Sequence, residues 1–147
     1  MILKRLAMIK VAILLILGCL AITVSAQTKT RQCRGGVCKL KRKTDAVITL
    51  KFTPEKDLKQ LKTHVQAYIG NFPFPFVGVD GTSACNNIYD ETGTNKLSCP
   101  LQKGKTYVYR NSFKVLEAYP KIQLVVHWAL QNDNKDIMCF EVPARIV

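Results

Sequence analysis

The chain has 147 residues, of which 22 are Lys or Arg and 10 are Asp or Glu, so its formal net charge is +12. A chain of this length forms one domain of modest size. Because 48% of the residues are hydrophobic and only eight are Gly and six Pro, the composition excludes a disordered, collagen-like or low-complexity protein. The sequence therefore describes a globular domain with a hydrophobic core.

Residues 1–26 have the features of a secretory signal peptide. An apolar stretch over residues 11–24 ends in Val24-Ser25-Ala26, a small-residue cleavage pattern. The positive region before it contains Lys4, Arg5 and Lys10. The alternative is an uncleaved membrane anchor, but the apolar stretch is shorter than the roughly 20 residues that span a bilayer. We therefore expect cleavage after Ala26 and a mature, secreted domain at residues 27–147.

Removal of this segment discards Cys19 and leaves an odd number of cysteines for an oxidising compartment. The remaining cysteines are Cys33, Cys38, Cys85, Cys99 and Cys139. Cys85 and Cys99 bracket a loop rich in Gly, Thr and Asn, and a disulfide there stabilises the fold by roughly 2–4 kcal/mol. Cys33 and Cys38 flank two glycines that let the chain turn back. Two disulfides are expected, with one thiol left over.

The mature segment is predicted to be all-β. Five segments alternate apolar and polar residues with a period of two, as half-buried strands do. These segments are residues 46–52, 62–69, 105–115, 122–130 and 137–146. No pattern of a crossover helix separates them, which disfavours a parallel α/β fold. The pattern predicts an antiparallel sandwich or barrel, with polar loops at residues 54–60 and 90–96.

The segment Phe72-Pro73-Phe74-Pro75-Phe76 cannot be a central strand, because its alternate prolines lack the N–H groups of a β-ladder. It is therefore predicted to run along an edge or a rim. Its three phenylalanines would then lie at an opening. They either close one end of the core or line a portal for a lipid.

No catalytic or metal-binding constellation is evident. His64 and His127 fall on the polar faces of separate strands, without a partner in the nearby sequence. Phosphate-binding glycine loops and a nucleophile elbow are also missing from the sequence. We therefore predict a protein that is not an enzyme and that holds neither a metal nor a cofactor.

Basic residues form two groups near the first long strand. They are Lys39, Lys41, Arg42 and Lys43, and Lys56, Lys59 and Lys62. A solvated basic surface is the first interpretation, and attraction to anionic membrane surfaces is the second. Nucleic acid is not expected as a partner, because no aromatic residue is interleaved with these lysines as a stacking platform.

Several motifs in fixed order resemble the Niemann-Pick type C2 sterol carriers of the ML lipid-recognition family. The strongest are Cys99–Tyr109 (CPLQKGKTYVY), Val115, Tyr119-Pro120, Leu124–Trp128 (LVVHW) and Cys139–Pro143 (CFEVP), with weaker ones at Phe72–Gly81 and Cys33–Leu40. The resemblance covers most of residues 27–147. It implies a two-sheet, antiparallel, immunoglobulin-like β-sandwich with an internal hydrophobic pocket. In this family the pocket commonly holds a sterol with its hydrocarbon tail innermost.

The resemblance also implies which residues contact a lipid. The family's sterol-contact positions fall on Phe74, Val115 and Tyr119. Trp128 and Phe140 match its pocket aromatics. Phe72 and Pro120 complete the predicted lipid-binding set, and Phe72, Phe74 and Tyr119 are expected near the entrance. From the pattern alone, the row of Val115, Trp128 and Phe140 is interpreted as an ordinary sandwich core.

One departure from the family concerns the first strand. Family members have a further strand before the position of Cys33, and its cysteine pairs with the one that matches Cys139. Here only residues 27–32 precede Cys33 in the predicted mature chain. The resemblance therefore implies a truncated first strand and a free thiol at Cys139.

The function implied is that of a lipid-binding and transfer protein. It would take a sterol, or another hydrophobic ligand such as a fatty acid or semiochemical, and deliver it to anionic membranes or to a sterol-accepting membrane protein. It would act as a monomer in the extracellular space or the endolysosomal lumen. One alternative is innate-immune recognition of lipopolysaccharide or another microbial glycolipid. Another is a structural or adhesion protein whose filled core takes no ligand.

Overall fold

The computed structural model describes residues 33–34 and 36–147, which form ten β-strands joined by turns and one short 3₁₀ helix at Cys85–Asn87. The predicted signal peptide at residues 1–26 lies outside the described residues. The strands are β1 Cys33–Arg34, β2 Val37–Leu40, β3 Asp45–Phe52, β4 Lys62–Ile69, β5 Phe72–Pro75, β6 Ile88–Tyr89, β7 Lys96–Leu97, β8 Tyr107–Lys114, β9 Gln123–Asn132 and β10 Lys135–Ile146.

The strands form two sheets. The six-stranded sheet has the order β1-β2-β10-β9-β4-β5, and the four-stranded sheet has the order β3-β8-β6-β7. Five of the strands, β3, β4, β8, β9 and β10, correspond to the five predicted segments. Their apolar residues turn inward because side chains alternate between the faces of a strand. The predicted two-sheet β-sandwich is confirmed.

The prediction of a purely antiparallel sandwich is wrong for one pair of strands. Strand β2 runs parallel to β10, with Cys38 beside Ala144 and Leu40 beside Ile146. The other described pairs are antiparallel. Parallel neighbours require a long connection, and β2 and β10 lie at opposite ends of the described chain. The alternation of hydrophobic residues within a strand does not indicate whether the strand runs parallel or antiparallel to its neighbour.

The β9–β10 hairpin turns at Asp133 and Asn134, whose φ angles are 52° and 59°. Asn and Asp tolerate this left-handed conformation, which a two-residue hairpin loop requires. A register shift between Asp136 and Met138 follows the turn. Beyond that shift, Phe140 pairs with Trp128. The turn thus sets which two aromatic residues stand side by side on the inner face.

Strand β5 is the edge strand that its prolines predicted. It pairs only with β4 in the sheet order, with Phe74 opposite Ala67 and Phe72 opposite Ile69. Because paired residues lie on the same face, both phenylalanines are on the inner side of the six-stranded sheet. Their side chains are nevertheless 72% (Phe72) and 49% (Phe74) exposed, since no further strand covers them on this side.

The cysteines depart from the prediction in one respect. The disulfide between Cys85 and Cys99 is confirmed. Cys38 is disulfide-bonded, and Cys33 is opposite it in the β1–β2 hairpin. Cys139 is also disulfide-bonded, so the prediction of a free thiol there is wrong. That prediction rested on the odd number of cysteines that is left when Cys19 is removed with residues 1–26.

The core lies between the two sheets and extends to one end of the sandwich. There, Leu58 and Leu101 from two loops exchange backbone hydrogen bonds of 2.9 and 2.8 Å, and both are fully buried. Within residues 33–34 and 36–147, no helix is long and apolar enough to cross a membrane.

Candidate ligand-binding site

Five aromatic side chains form a continuous row from the surface to the centre of the sandwich. Half-buried Tyr119 packs edge-on against Phe76 at 6.1 Å between ring centroids, and Phe76 packs against Phe113 at 5.2 Å. Phe113 then meets Trp128 at 5.8 Å, and Trp128 meets Tyr109 at 6.3 Å. We call these residues the aromatic row. It joins the two sheets in one apolar cluster.

The strands explain why these residues meet. Tyr109 and Phe113 are four residues apart on β8, so they lie on one face of the four-stranded sheet. Trp128 faces them from β9 in the other sheet, and it is fully buried. Phe76 comes from the turn after β5, where its backbone N–H bonds the Val65 carbonyl at 3.1 Å. Tyr109, Phe113 and Trp128 are thus placed by regular strands and Phe76 by a loop.

The residues predicted to contact lipid fall into three groups. Trp128 and Val115 are fully buried, while Phe140, beside Trp128, is half-buried. Tyr119 is half-buried at the outer end of the aromatic row. Phe72, Phe74 and Pro120 are exposed. The structure thus brings Tyr119, Trp128 and Phe140 into one connected region. Phe72 and Phe74 lie at the neighbouring edge of the six-stranded sheet.

The loop that carries Tyr119, residues 115–120, is tied to the turn before β3. The Arg42 guanidinium donates to the Glu117 carbonyl at 3.0 Å and to the Tyr119 carbonyl at 3.5 Å. Lys43 pairs with the Glu117 carboxylate at 2.6 Å, although both side chains are mostly exposed. Arg42 therefore fixes the backbone on either side of the outermost aromatic ring.

A small polar group lies in the middle of this apolar region. The Asn111 amide donates to the Tyr109 hydroxyl at 2.8 Å. The buried indole nitrogen of Trp128 has no hydrogen-bond acceptor among the described residues. Burial raises the pKa of Tyr109 well above its usual range, although the nearby Asn111 amide and Trp128 indole oppose the rise. The hydroxyl therefore keeps its proton at every physiological pH.

The two histidines have partners that the sequence did not reveal. His64 Nδ1 lies 3.3 Å from Asp80 Oδ1, and His127 Nδ1 lies 3.1 Å from Glu141 Oε1. The rings are 5.9 Å apart on the outer face of the six-stranded sheet, and His127 is only 8% exposed. In the described part of the chain, no three His, Cys, Asp or Glu side chains are arranged to hold a metal ion.

Comparison with known proteins shows the family to which this β-sandwich belongs. A sequence model of the ML domain matches residues 18–146. The chain belongs to the ML domain family. The match begins within residues 1–26 and includes Cys19, while cleavage after Ala26 stays a prediction.

Several relatives of this ML domain are similar over most of its length. The ecdysteroid-regulated 16 kDa protein of Manduca sexta is 34% identical, covering 74% of this chain and 70% of that protein. The NPC intracellular cholesterol transporter 2 homolog a of Drosophila melanogaster is 35% identical, covering 74% and 69%. The NPC intracellular cholesterol transporter 2 of Canis lupus familiaris is 32% identical, covering 86% and 79%.

A solved structure agrees with these sequence relatives. The crystal structure of a Niemann-Pick type C2 protein from the Japanese carpenter ant superimposes with a TM-score of 0.66 at 25% identity, covering 79% of this chain and 86% of that one. Proteins of this family are lipid-binding carriers, and this ML domain is not an enzyme.

Sequence reasoning missed Tyr109 and Phe113 of the aromatic row as site residues, and it named Phe76 only as one of three phenylalanines that close the core or line a portal. Tyr109 and Phe113 looked like ordinary inward-facing residues of β8. Hydrophobic periodicity predicts which face of a strand is buried, but it does not predict which residue of the other sheet packs against it. Phe76 follows the two prolines of β5, and that position was the one available signal. Because β5 ends at Pro75, the chain can turn there and place the side chain of Phe76 in the core.

Proposed function

We propose that this ML domain is a secreted carrier that encloses one sterol, or another apolar lipid, between its two sheets and delivers it to a membrane. The observation that supports this most directly is the aromatic row, which leads from half-buried Tyr119 to fully buried Trp128. Burial of apolar ligand surface against such a row is favourable by about 25 cal/mol per Å².

The relatives support the same class of ligand. Two of them carry the name of an NPC intracellular cholesterol transporter 2, and they are 35% and 32% identical to this chain. The ligand-contact set of the carrier is proposed to comprise Phe74, Val115, Tyr119, Trp128 and Phe140, with Phe72 and Pro120 at the entrance. Exposed aromatic residues beside a sheet edge suit that role, because they can shield a lipid as it enters or leaves.

Delivery is proposed to occur at anionic membranes or at a sterol-accepting membrane protein. The excess of basic over acidic residues, 22 to 10 in the full chain and 19 to 10 without residues 1–26, supports attraction to an anionic surface. The carrier is proposed to act as a monomer, in the extracellular space or the endolysosomal lumen. Cleavage after Ala26 is the proposed route of secretion, since residues 1–26 fit a signal peptide.

The first experiment is native mass spectrometry of the protein secreted from a eukaryotic host, with extraction and identification of any bound lipid. We expect about one sterol or comparably apolar lipid per chain. A protein that is secreted empty and fails to take up a fluorescent sterol would contradict the proposal and favour a filled sandwich.

A single substitution tests the entrance. Phe74→Ala should weaken uptake of a fluorescent sterol several-fold with little change in the unfolding midpoint, because the Phe74 side chain is already 49% exposed. Val47→Ala is the matched control, since Val47 is 44% exposed on the outer face of β3. Equal sterol binding by the Phe74 variant and the control would remove Phe74 from the site.

Recognition of a microbial glycolipid is the alternative ligand class. Binding of an anionic glycolipid would weaken strongly with added salt, whereas binding of a neutral sterol would not. None of the relatives described above is named for glycolipid recognition.

A further inference from the structure

Two hydrogen-bond donors in the interior of the sandwich lack acceptors. The Trp128 indole N–H is fully buried, and although it lies near the Tyr109 hydroxyl, it makes no well-formed hydrogen bond with any described residue. The Tyr109 hydroxyl oxygen accepts a hydrogen bond from Asn111 at 2.8 Å, so its own proton points elsewhere, and no described residue accepts it. An unpaired buried donor costs free energy comparable to a lost hydrogen bond.

The two donors come from opposite sheets and face the same space. Tyr109 is on β8, Trp128 is on β9, and their ring centroids are 6.3 Å apart with the planes tilted by 55°. Both residues are fully buried. The two donors are therefore held by regular strands on opposite sides of the same interior.

This space borders a part of the interior that is accessible. Phe140, which pairs with Trp128, is on the inner face of the six-stranded sheet and is only half-buried. Asn111 pairs with Ile48 in the four-stranded sheet, and both are half-buried although they lie on the inner side. A ligand lying against these residues would extend to the two donors.

We propose that the ligand carries a hydrogen-bond acceptor oxygen at the end that enters first, and that the Tyr109 hydroxyl and the Trp128 indole N–H bind this oxygen. The ligand class is therefore an amphipathic lipid with a carbonyl, carboxyl or hydroxyl oxygen at its inner end. This inference rests on the proposed carrier function. It differs from binding with the hydrocarbon tail innermost, because the polar end lies deepest.

The Tyr109 hydroxyl suits this role chemically. Its raised pKa keeps it protonated, so it donates and never presents a charge to the ligand. Asn111 occupies a lone pair of the hydroxyl oxygen, and the Asn111 Oδ1 atom in turn accepts the Ser112 N–H at 2.8 Å. Asn111 is a positioning residue here, because it orients the hydroxyl proton away from itself.

The test uses two ligands of equal length, tridecane and tridecan-2-one, which differ in one carbonyl oxygen. Displacement of a fluorescent probe gives the affinity of each ligand for the wild-type protein and for Tyr109→Phe. We expect the ketone-to-alkane affinity ratio to fall by about threefold to tenfold in the variant, which is the effect of one lost hydrogen bond. The ratio cancels the different solubilities of the ligands.

Tyr107→Phe is the matched control. Its hydroxyl is on the same strand and also buried, but it already accepts the Gln102 backbone N–H at 2.8 Å. Loss of this hydroxyl should lower stability and leave the ketone-to-alkane ratio unchanged. A comparable fall of the ratio in both variants would overturn the proposal.

Trp128 gives an independent readout, because it is the single tryptophan of the chain. Its emission should shift to the red with the ketone relative to the alkane, as the indole N–H gains an acceptor. If the two ligands bind with equal spectra and an unchanged ratio in Tyr109→Phe, the inference fails and the carrier function stands. If neither these ligands nor a fluorescent sterol binds, the carrier function fails, and the inference with it.

Discussion

Asp80 is the residue that holds the Phe76 turn against strand β4. Its Oδ1 atom accepts the Val65 backbone N–H at 2.7 Å and lies 3.3 Å from His64 Nδ1. Because Val65 is fully buried, its N–H would have no acceptor in Asp80→Ala. We expect that variant to lose about 1–3 kcal/mol of unfolding free energy, measured by urea denaturation.

His64→Ala separates the two contacts of Asp80. The His64–Asp80 pair is about one-third exposed on both sides, and such exposed pairs contribute about 0.2–1 kcal/mol. The loss of unfolding free energy in His64→Ala should therefore be smaller than the loss in Asp80→Ala. Equal losses would mean that the contact with His64, and not the backbone hydrogen bond, secures the turn.

At the scale of an element, the turn between β6 and β7 depends on Asp90. Hydrogen bonds from the Thr92 hydroxyl, then from the Asn95 amide and the Thr94 backbone N–H, hold the pKa of Asp90 far below its ordinary value of 3.8. A lowered pKa means that the folded state favours the carboxylate. Its stabilising effect is complete above the unfolded pKa and disappears as the pH falls through the folded pKa.

Asp90→Asn should therefore lower the melting temperature by an amount that is constant from neutral pH down to about pH 5. The difference from the wild type should shrink below about pH 4, where the Asp90 carboxyl of the unfolded chain takes up a proton while that of the folded chain is still ionised. Glu91→Gln is the control in the same turn, since Glu91 makes only an exposed pair with Lys51 at 3.4 Å. A difference that persists unchanged to the lowest pH would contradict the hydrogen-bond account.

Arg42 governs a second element, the loop of residues 115–120. Arg42→Ala removes the donors to the Glu117 and Tyr119 carbonyls, so Tyr119 should leave its position against Phe76 more often. We expect a bound fluorescent sterol to dissociate about threefold to tenfold faster, as for the loss of about 1 kcal/mol, because the Arg42 contact with Glu117 is exposed. Stopped-flow fluorescence measures this rate.

Lys43→Ala is the neighbouring control. It removes the pair with the Glu117 carboxylate, whose partners are both about two-thirds exposed, and leaves the backbone contacts of Arg42 intact. Dissociation should then be close to that of the wild type. If the Lys43 variant releases the ligand as fast as the Arg42 variant, charge and not loop position controls the exit.

At the scale of the whole molecule, the positive charge predicts how the carrier meets membranes, because the net charge of +12 is still +9 after cleavage removes Lys4, Arg5 and Lys10. Transfer of a fluorescent sterol to vesicles that contain anionic lipid should be faster than transfer to neutral vesicles. The advantage should fall steeply as salt rises, because the Debye length shortens from about 10 Å at 0.1 M to about 3 Å at 1 M. Equal rates to both vesicles at low salt would exclude electrostatic attraction as the cause of encounter.

Much of the sandwich could be predicted from local patterns. The alternation in β4 gave its bounds, Lys62–Ile69, because one strand face is buried and the other is not. Pro73 and Pro75 predicted an edge strand, because a proline has no backbone N–H with which to bond a second neighbouring strand. The strands β6 and β7 could not be predicted, since two residues each are too few for a period.

The site was less predictable because it depends on contacts between residues that are distant in sequence. Phe76 and Tyr119 meet across 43 positions, and no pattern in either segment refers to the other. Glu141 reaches His127 from the next strand, so a histidine that looked unpartnered is paired. Only the resemblance to the ML family distinguished Trp128 from an ordinary core residue before the structure was known.

The two prolines of β5 have a consequence for the behaviour of the protein at high concentration. A strand with free N–H groups beside exposed Phe72 and Phe74 would invite a second chain to add to the sheet and begin a fibre. Pro73 and Pro75 have no N–H, and in an edge strand their nitrogens face solvent. An arriving strand finds acceptors but no donors at these positions. Replacement of either proline would restore an N–H donor at this edge and favour polymerisation, whereas replacement of Phe72 or Phe74 would add no donor.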